Sequence, residues 1–385
     1  DRNCSDIKSL TEALSKDKNI NIKPFLIYPF DFSWSWNIGY DEDDNFVKFL
    51  EVAMPIAKEN PDLAFYVGAT LRAHSWKNLI YQTQSEKMRL YRKQIEYFKI
   101  ALNSQDREIK ELTPKILGNI YYYGLLRSRV DIVDQDYPMP KYEVNVDYKK
   151  ASEYYSKCLP ECEQNYIASV IRFDSEKGLD LLESLPSFNN ETTSDWKSSS
   201  KKRRQNSSAE FKFNWLWSIY KFGLFGFSKD QIKSDKYLET LQKEKGDREN
   251  YLLDIYPPKN THDVYALSRF FQKTDELHDS SHRPYLPENI SVEFQLLRQA
   301  LSEKHHVSAY MLHSKYNKGD GVMKDFLRAY AYLNIALEYS NISLGENGDF
   351  KFSKYLNENA YRKELNNLEK DMSKNHVIYA QQLSR

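Results

Sequence analysis

The sequence predicts an all-α fold built from helical hairpins. Within residues 308–336, small and aromatic side chains recur every three or four positions, which predicts two helices that each bury one stripe. Glycines between these helices mark the joint, because glycine enters left-handed backbone conformations without a steric cost. The 385 residues include 29 tyrosines and 20 phenylalanines but only 12 glycines, a composition suited to helices packed through aromatic rings.

Two hairpins show this spacing most clearly, and we interpret its positions as packing and joint residues. Asp325 is expected to cap the second helix of the last hairpin. The repeat positions are Leu117, Gly118, Tyr121, Gly124 and Ala151 in the earlier hairpin, and Tyr316, Gly319, Gly321, Asp325, Ala329, Tyr332 and Ala336 in the last. In the earlier hairpin the connection is lengthened by residues 125–143, which an exposed loop tolerates at little cost.

Weaker copies of the pattern bring the total to five or six hairpins, enough for a self-supporting array. One copy pairs a stripe through Leu63, Val67 and Leu71 with a stripe through Tyr91 and Phe98. Others are predicted around residues 213–241 and 261–302. A single long helix from about residue 352 to residue 384 is expected to close the array.

The spacing resembles the Sel-one-like repeat, a relative of the tetratricopeptide repeat with about 36 residues per hairpin. The match is strong over residues 292–385, good over 113–158, weaker over 213–241 and absent from the first 60 residues. It departs from the pattern at Ser308 and His313, where alanine and glycine are common, and His313 is expected to push the two helices slightly apart. The resemblance implies a right-handed α-solenoid whose concave face binds another protein.

The resemblance also implies candidate roles. In bacteria many such proteins are exported to the periplasm, where some serve secretion machinery and others neutralise phospholipase toxins delivered by type VI secretion. We therefore expect a scaffold linked to an envelope or type VI secretion system. The alternatives are an immunity protein against a secreted toxin, such as a phospholipase, and a peptidoglycan-binding or envelope-processing protein. The oligomeric state stays open.

The chain divides by composition into four regions. Residues 1–44 form an N-terminal arm or cap, 45–186 the first half of the array, 187–210 a flexible polar loop, and 211–385 the second half with its C-terminal cap. Residues 24–36 are extended and aromatic-rich, and they are expected either to cover the open end of the first hairpin or to dock a partner.

The net charge of the chain and the length of its apolar runs limit the classes of partner that it is expected to bind. With 55 basic and 55 acidic residues the formal net charge is zero, so no nucleic-acid partner is expected. No apolar run reaches the ~20 residues of a membrane helix, so we expect a soluble chain without a transmembrane segment. The sequence begins at Asp1, and a removed secretory signal would explain this, which favours a periplasmic location over a cytoplasmic one.

The sequence predicts no catalytic residue, no metal site and no cofactor. Phosphate loops, dinucleotide fingerprints and nucleophile elbows are missing from it. His278 and His282 have metal-ligand spacing but lie in a turn-forming run, and His305, His306 and His313 are explained by helix capping or packing. Cys158 and Cys162 could form a local disulfide, although two inert thiols are the favoured interpretation.

Four tryptophans are the candidate partner-binding residues. Trp34 and Trp36 lie in the aromatic arm. Trp215 and Trp217 are two positions apart on one predicted helix, so they cannot share a face, and one of them is expected to be an exposed anchor.

Overall fold

A computed structural model describes most of the chain. The described residues are 10–18, 43–77, 84–123, 146–188, 196–245, 253, 256–272, 286–287, 289–343, 358–370 and 372–384. They form helices joined by turns and contain no strand, which confirms the all-α prediction for this part of the chain. None of their helices combines the length and the apolar character needed to cross a membrane. The arm at 24–36, the connection 125–143, Gly124, His278 and His282 lie outside them.

Residues Asp1–Ser184 and Asp275–His278 form the first of two compact units. Consecutive helices of this unit pack against each other along the chain. Its helices are α1 (Asp43–Ala57), α2 (Pro61–Lys77), α3 (Gln84–Ala101), α4 (Arg107–Tyr123), α5 (Tyr148–Tyr155), α6 (Glu163–Phe173) and α7 (Ser175–Ser184).

The core of the first unit is formed by the helical stripes. Leu63, Val67 and Leu71 of α2 are buried, and the ring of Phe98 in α3 packs 5.8 Å from that of Phe65. Helices approach most closely where a side chain is missing. At Gly118 of α4, an added Cβ atom would lie 2.5 Å from the ring of Tyr155 in α5. The Tyr155 hydroxyl donates a hydrogen bond of 2.5 Å to Oδ1 of Asn119.

The second unit comprises Leu185–Thr274 and Asp279–Arg385. Here too, each hairpin is formed by helices that are consecutive in the chain. The helices are α8 (Trp196–Phe222), α9 (Gln231–Lys245), α10 (Thr261–Phe270), α11 (Ile290–Ser302), α12 (His306–Lys318), α13 (Phe326–Ser343), α14 (Glu358–Lys370) and α15 (Lys374–Leu383).

The prediction of a flexible loop at 187–210 is wrong from Trp196 onward, because these residues begin the long helix α8. No glycine or proline interrupts the helix between Trp196 and Phe222. Its C-terminal half is anchored by Ala209 and Phe213, which are buried against Leu241 of α9. Once one part of a helix is fixed by packing, each further polar residue adds a hydrogen bond at little cost, so the helix extends into the polar run.

The single closing helix predicted for residues 352–384 is also wrong. The chain forms α14 and α15, and Ser373 caps α15 by accepting a hydrogen bond of 3.3 Å from the amide of His376. Both helices pack against α13. The break therefore lets Tyr361 and Leu365 of α14 join Ala380 of α15 in one buried cluster.

Three hairpins close with the same backbone hydrogen bond. In each, the amide of an aspartate at the start of the second helix donates to the carbonyl of a tyrosine near the end of the first. The pairs are Asp147 to Tyr121 at 2.9 Å, Asp230 to Tyr220 at 2.9 Å and Asp325 to Tyr316 at 3.0 Å. Each aspartate carboxylate also accepts from the backbone amide three positions later, at 2.9–3.0 Å, so it caps the second helix.

The side chains around this bond are equivalent in the three hairpins. A tyrosine seven positions after each aspartate stacks on the first tyrosine, with ring centroids 5.5, 5.9 and 5.5 Å apart. The cation three positions after the aspartate lies over the first tyrosine ring, at 4.8, 4.7 and 5.5 Å. We call each set a tyrosine clasp. The members are Tyr121, Asp147, Lys150 and Tyr154; Tyr220, Asp230, Lys233 and Tyr237; and Tyr316, Asp325, Arg328 and Tyr332.

A fourth hairpin keeps only the polar part of the clasp. The amide of Asn289 donates to the carbonyl of Phe271 at 3.0 Å, and the Asn289 side chain caps α11 through the amide of Val292. The stacked tyrosines and the cation are replaced by apolar residues here. The backbone closure is therefore retained where the aromatic stack is lost.

The joint of the last hairpin requires two glycines. Gly319 ends α12 in the left-handed conformation with φ of 68°, and Gly321 has φ of 72°. A Cβ atom at Gly321 would lie 2.7 Å from Cδ1 of Ile290 in α11. The joint is thus in close contact with the preceding hairpin.

Replacing Gly321 with valine is predicted to destabilise the protein for two reasons. Valine in a left-handed conformation costs about 1–2 kcal/mol, and displacing Ile290 adds about 1–3 kcal/mol. Gly226 is the matched control, since its φ is 87° and a Cβ atom added there would meet no neighbouring group within 4 Å. Chemical unfolding should show a larger loss for Gly321→Val than for Gly226→Val; equal losses would mean that the contact with Ile290 is unimportant.

Candidate functional site

The expectation that Trp215 or Trp217 is a surface anchor is wrong, because both indoles are buried, with 3% and 0% exposure. Trp215 packs on the rings of Phe211 and Phe225, with centroids 4.9 and 5.9 Å away. The ring of Trp217 meets that of Tyr256 at 4.7 Å.

The burial of both tryptophans follows from the surroundings of α8. On a helix that packs on one side only, residues two positions apart face different directions, so one of them is exposed. The C-terminal half of α8 is instead covered on more than one side. The turn Leu224–Gly226 brings Phe225 back against one side, and Tyr256 covers another. Trp34 and Trp36 lie outside the described residues.

The favoured interpretation of Cys158 and Cys162 as free thiols is also wrong. Their sulfur atoms are bonded, and the two Cα atoms lie 5.5 Å apart. The disulfide links the short 3-10 turn after α5 to the start of α6. It therefore fixes the turn between two successive hairpins of the first unit.

In the second unit, a line of aromatic rings runs across α10, α12 and α14. Neighbouring ring centroids lie 4.9–6.2 Å apart along the line. We call this set the histidine–tyrosine face. In order, its members are His262, Tyr265, His305, His306, Tyr361, Tyr310 and His313.

In the middle of the face, His305 and His306 act as local hydrogen-bonding groups, which confirms the prediction of capping and packing roles. His305 caps α12, since its Nδ1 accepts from the amide of Ser308 at 3.2 Å. Nδ1 of His306 lies 3.0 Å from the Tyr361 hydroxyl. Burial lowers the pKa of His306, and burial together with the neighbouring His306 and His262 lowers the pKa of His305 to about 3.

At the end of the face, His313 joins three helices. Its side chain is fully buried, with Nδ1 2.9 Å from the carbonyl of Ala329 in α13 and Nε2 2.8 Å from Oε1 of Glu364 in α14. Burial by itself would raise the pKa of Glu364. The hydrogen bond and charge of His313, a hydrogen bond from Tyr310 and the charge of Lys318 have the opposite effect. Together they outweigh burial, so the pKa of Glu364 is lowered. The histidine that breaks the repeat pattern is thus an interhelical link.

His313 is not placed to act as a general base. A histidine acting as a general base needs a ring nitrogen that can reach a substrate, and both nitrogens of His313 are engaged inside the core. The described part of the chain also contains no group of three or more histidine, cysteine, aspartate or glutamate side chains placed to hold a metal ion.

A second buried polar group lies in the same unit. Nζ of Lys315 lies 2.8 Å from Oε2 of Glu293 in α11 and 3.3 Å from Oδ2 of Asp320. Burial raises the pKa of Glu293, and Lys315 and Gln272 oppose this effect. Lys315 and Glu293 are both shielded from solvent, so their link is a structural bridge between α11 and α12.

Beside the histidine–tyrosine face, α10 and α12 form a half-exposed edge. Nη1 of Arg269 lies 3.8 Å from Sδ of Met311, and Tyr265 is one turn before Arg269 on α10. The described part of the chain provides no carboxylate within ion-pair distance of Arg269. We call Tyr265, Arg269 and Met311 the arginine edge. Sequence reasoning missed it, although the spacing from Tyr265 to Arg269 is that of one helical face.

Exposed apolar side chains also occur away from this edge. Met323 and Ile232 are the most exposed, at 88% and 84%. Ile378, Tyr379 and Leu383 are exposed on α15. They are separate from the arginine edge in sequence and provide controls for it.

No protein-family model matches the chain, and no curated protein matches it. Among solved structures, a protective antigen of uropathogenic Escherichia coli with a Sel-one-like repeat fold is 13% identical with a TM-score of 0.27, covering 89% of this chain and 70% of its own. A Sel-one repeat protein from Oxalobacter formigenes is 12% identical with a TM-score of 0.24, covering 92% and 98%. Both belong to the repeat class that the sequence resembles.

Proposed function

We propose that this chain is a non-enzymatic scaffold that binds another protein through the arginine edge of its second unit. The observation that carries the proposal is the half-exposed guanidinium of Arg269, which lies beside Tyr265 and Met311 and has no carboxylate partner in the described part of the chain. The concave-face location implied by the repeat resemblance stays a prediction.

The residue types at this edge favour a protein partner of a particular chemistry. Tyrosine, arginine and methionine are enriched in protein interfaces relative to the rest of the surface. Arginine recognises carboxylates with paired hydrogen bonds, and methionine adapts to apolar side chains of varied shape. We therefore propose that the partner presents an acidic side chain to Arg269 and an apolar side chain to Tyr265 and Met311.

We also propose that the chain works in the periplasm. The Cys158–Cys162 disulfide supports an oxidising compartment, because such bonds are rare where cellular thiols are kept reduced. Alkylating the protein in intact cells before reduction should leave both cysteines unlabelled in mass spectra. Labelled cysteines would contradict the periplasmic location and leave the binding proposal unaffected.

Within this function, we propose a role in an envelope or type VI secretion system, with an immunity protein as the alternative. The two roles differ in affinity. An assembly adaptor can work with micromolar affinity, whereas an immunity protein must capture its toxin with nanomolar affinity or better. Titrating the purified partner therefore separates them.

The binding prediction can be tested by site-specific photo-crosslinking in an envelope extract of the source cells. A photoreactive amino acid at Met311 should crosslink one protein, and the same group at the more exposed Met323 should not crosslink it. Arg269→Glu should weaken binding of that purified partner at least tenfold, because it places like charges at the contact.

The matched control for charge is Lys324→Glu, which changes an exposed lysine lying 4.3 Å over the ring of Phe326, outside the edge. This variant should keep the parent affinity. Equal crosslinking at Met311 and Met323, or equal loss of affinity in both charge variants, would reject the arginine edge as the binding site.

A further inference from the structure

The first turn of α12 contains two adjacent histidines, and one of them must accept a hydrogen bond from the backbone. The backbone amide of Ser308 can only donate, so Nδ1 of His305 must be unprotonated while it caps the helix at 3.2 Å. The same nitrogen lies 2.9 Å from Oγ of Ser308. His305 thus fulfils the role that serine, aspartate or asparagine usually has at this position.

The next residue connects this turn to α14. Nδ1 of His306 lies 3.0 Å from the hydroxyl of Tyr361, whose side chain is fully buried. Burial raises the pKa of Tyr361, so the phenol keeps its proton, and the tautomer of His306 decides which of the two groups donates. His306 is half-buried in this contact between α12 and α14, and burial disfavours its charged form.

We propose that the start of α12 is an acid-sensitive latch, which opens when His305 and His306 become protonated. An imidazolium ring has no acceptor nitrogen, so protonation of His305 removes the cap of α12. Protonation of His306 places a charge in the half-buried contact with Tyr361. It also places positive charge at a helix N-terminus, where the helix dipole disfavours cations. The latch lies on the same histidine–tyrosine face as the proposed binding edge but does not depend on a partner.

The groups around the latch do not offset this charge. From α10, His262 faces the ring of His305 at 6.0 Å, and the pKa of His262 is lowered by burial more than Asp263 raises it. Glu303 already accepts a hydrogen bond from Thr261. The titratable and charged groups near the latch are His262, Asp263 and Tyr265 of α10, Glu303 and Lys304 of the joint, Tyr310 of α12, and Tyr361 and Glu364 of α14.

The joint before the latch is itself held in an unfavourable conformation. Lys304 has φ of 65°, in the left-handed region that favours glycine. The amides of Lys304 and His305 donate to the carbonyls of Leu301 and Ala300, so the turn is held by backbone bonds on its α11 side. Loss of the cap would leave the amide of Ser308 without its acceptor, next to the unfavourable conformation of Lys304.

The direction of the pH effect follows from proton binding. A histidine whose pKa is lowered in the folded state binds its proton more readily once the latch is open. The closed state is therefore fully favoured above the ordinary histidine pKa of about 6.5, and this advantage is lost as pH falls below it. For His305 the loss continues down to its folded pKa of about 3.

Hydrogen exchange between pH 7.5 and 4.5, expressed as protection factors, tests the latch. Below about pH 6.5 the protection of the Ser308 and Ala309 amides should fall about tenfold per pH unit for one proton taken up, and up to about a hundredfold for two. His305→Asn keeps a capping side chain without a titrating group. Combined with His306→Gln, it should remove the pH dependence.

Control variants keep the test decisive. His376→Asn changes an exposed histidine of α15 and should retain the parent pH dependence. If His305→Asn does not fold, His306→Gln alone should reduce the pH dependence of the protection factors by the contribution of one proton. The latch is rejected if the parent shows no pH-dependent protection at these amides, or if the variants keep its slope. A failure of the binding test at Arg269 would not change either outcome.

Discussion

The tyrosine clasp is the interaction on which three of the described helical hairpins depend. It joins a tyrosine carbonyl of the first helix to the capping aspartate of the second, so one residue both closes the hairpin and satisfies a helix N-terminus. The stacked tyrosines then fix the two helices side by side. All these contacts lie where the connection meets the two helices, so the length of the connection can vary. The connection from Tyr121 to Asp147 is much longer than the one from Tyr316 to Asp325.

The tyrosine clasp holds the helices of a hairpin together, whereas other residues make the contacts that are peculiar to the second unit. His313 replaces a small residue and links three helices through Ala329 and Glu364. His305 replaces an ordinary cap and makes the start of α12 sensitive to protons. Arg269 lies on the edge beside these residues. The proposed binding site and the proposed latch therefore occupy one region of the second unit, although each rests on its own contacts.

The sequence could predict what depends on local spacing. The helix stripes of α2 and α3, the glycine joint at Gly319 and Gly321 and the cap at Asp325 all follow from residue type and period. It could not predict features that depend on distant residues. Trp217 is buried by Tyr256, the polar start of α8 is held by packing further along the helix, and the break before α15 lets two helices share α13. The Cys158–Cys162 disulfide could not be predicted, because two cysteines four positions apart can form a bond or remain two free thiols.

The central claim is that the clasp, and not the connection, closes the three hairpins that contain it. The most direct test replaces residues 125–143 with the dipeptide Asp-Gly, which gives this hairpin the same number of residues between its clasp tyrosine and aspartate as the last one. Hydrogen exchange at the amide of Asp147 is the measurement. The clasp account predicts that its protection is kept or slightly increased, since a shorter loop costs less entropy to close. Loss of that protection in a variant that is otherwise folded would contradict the account.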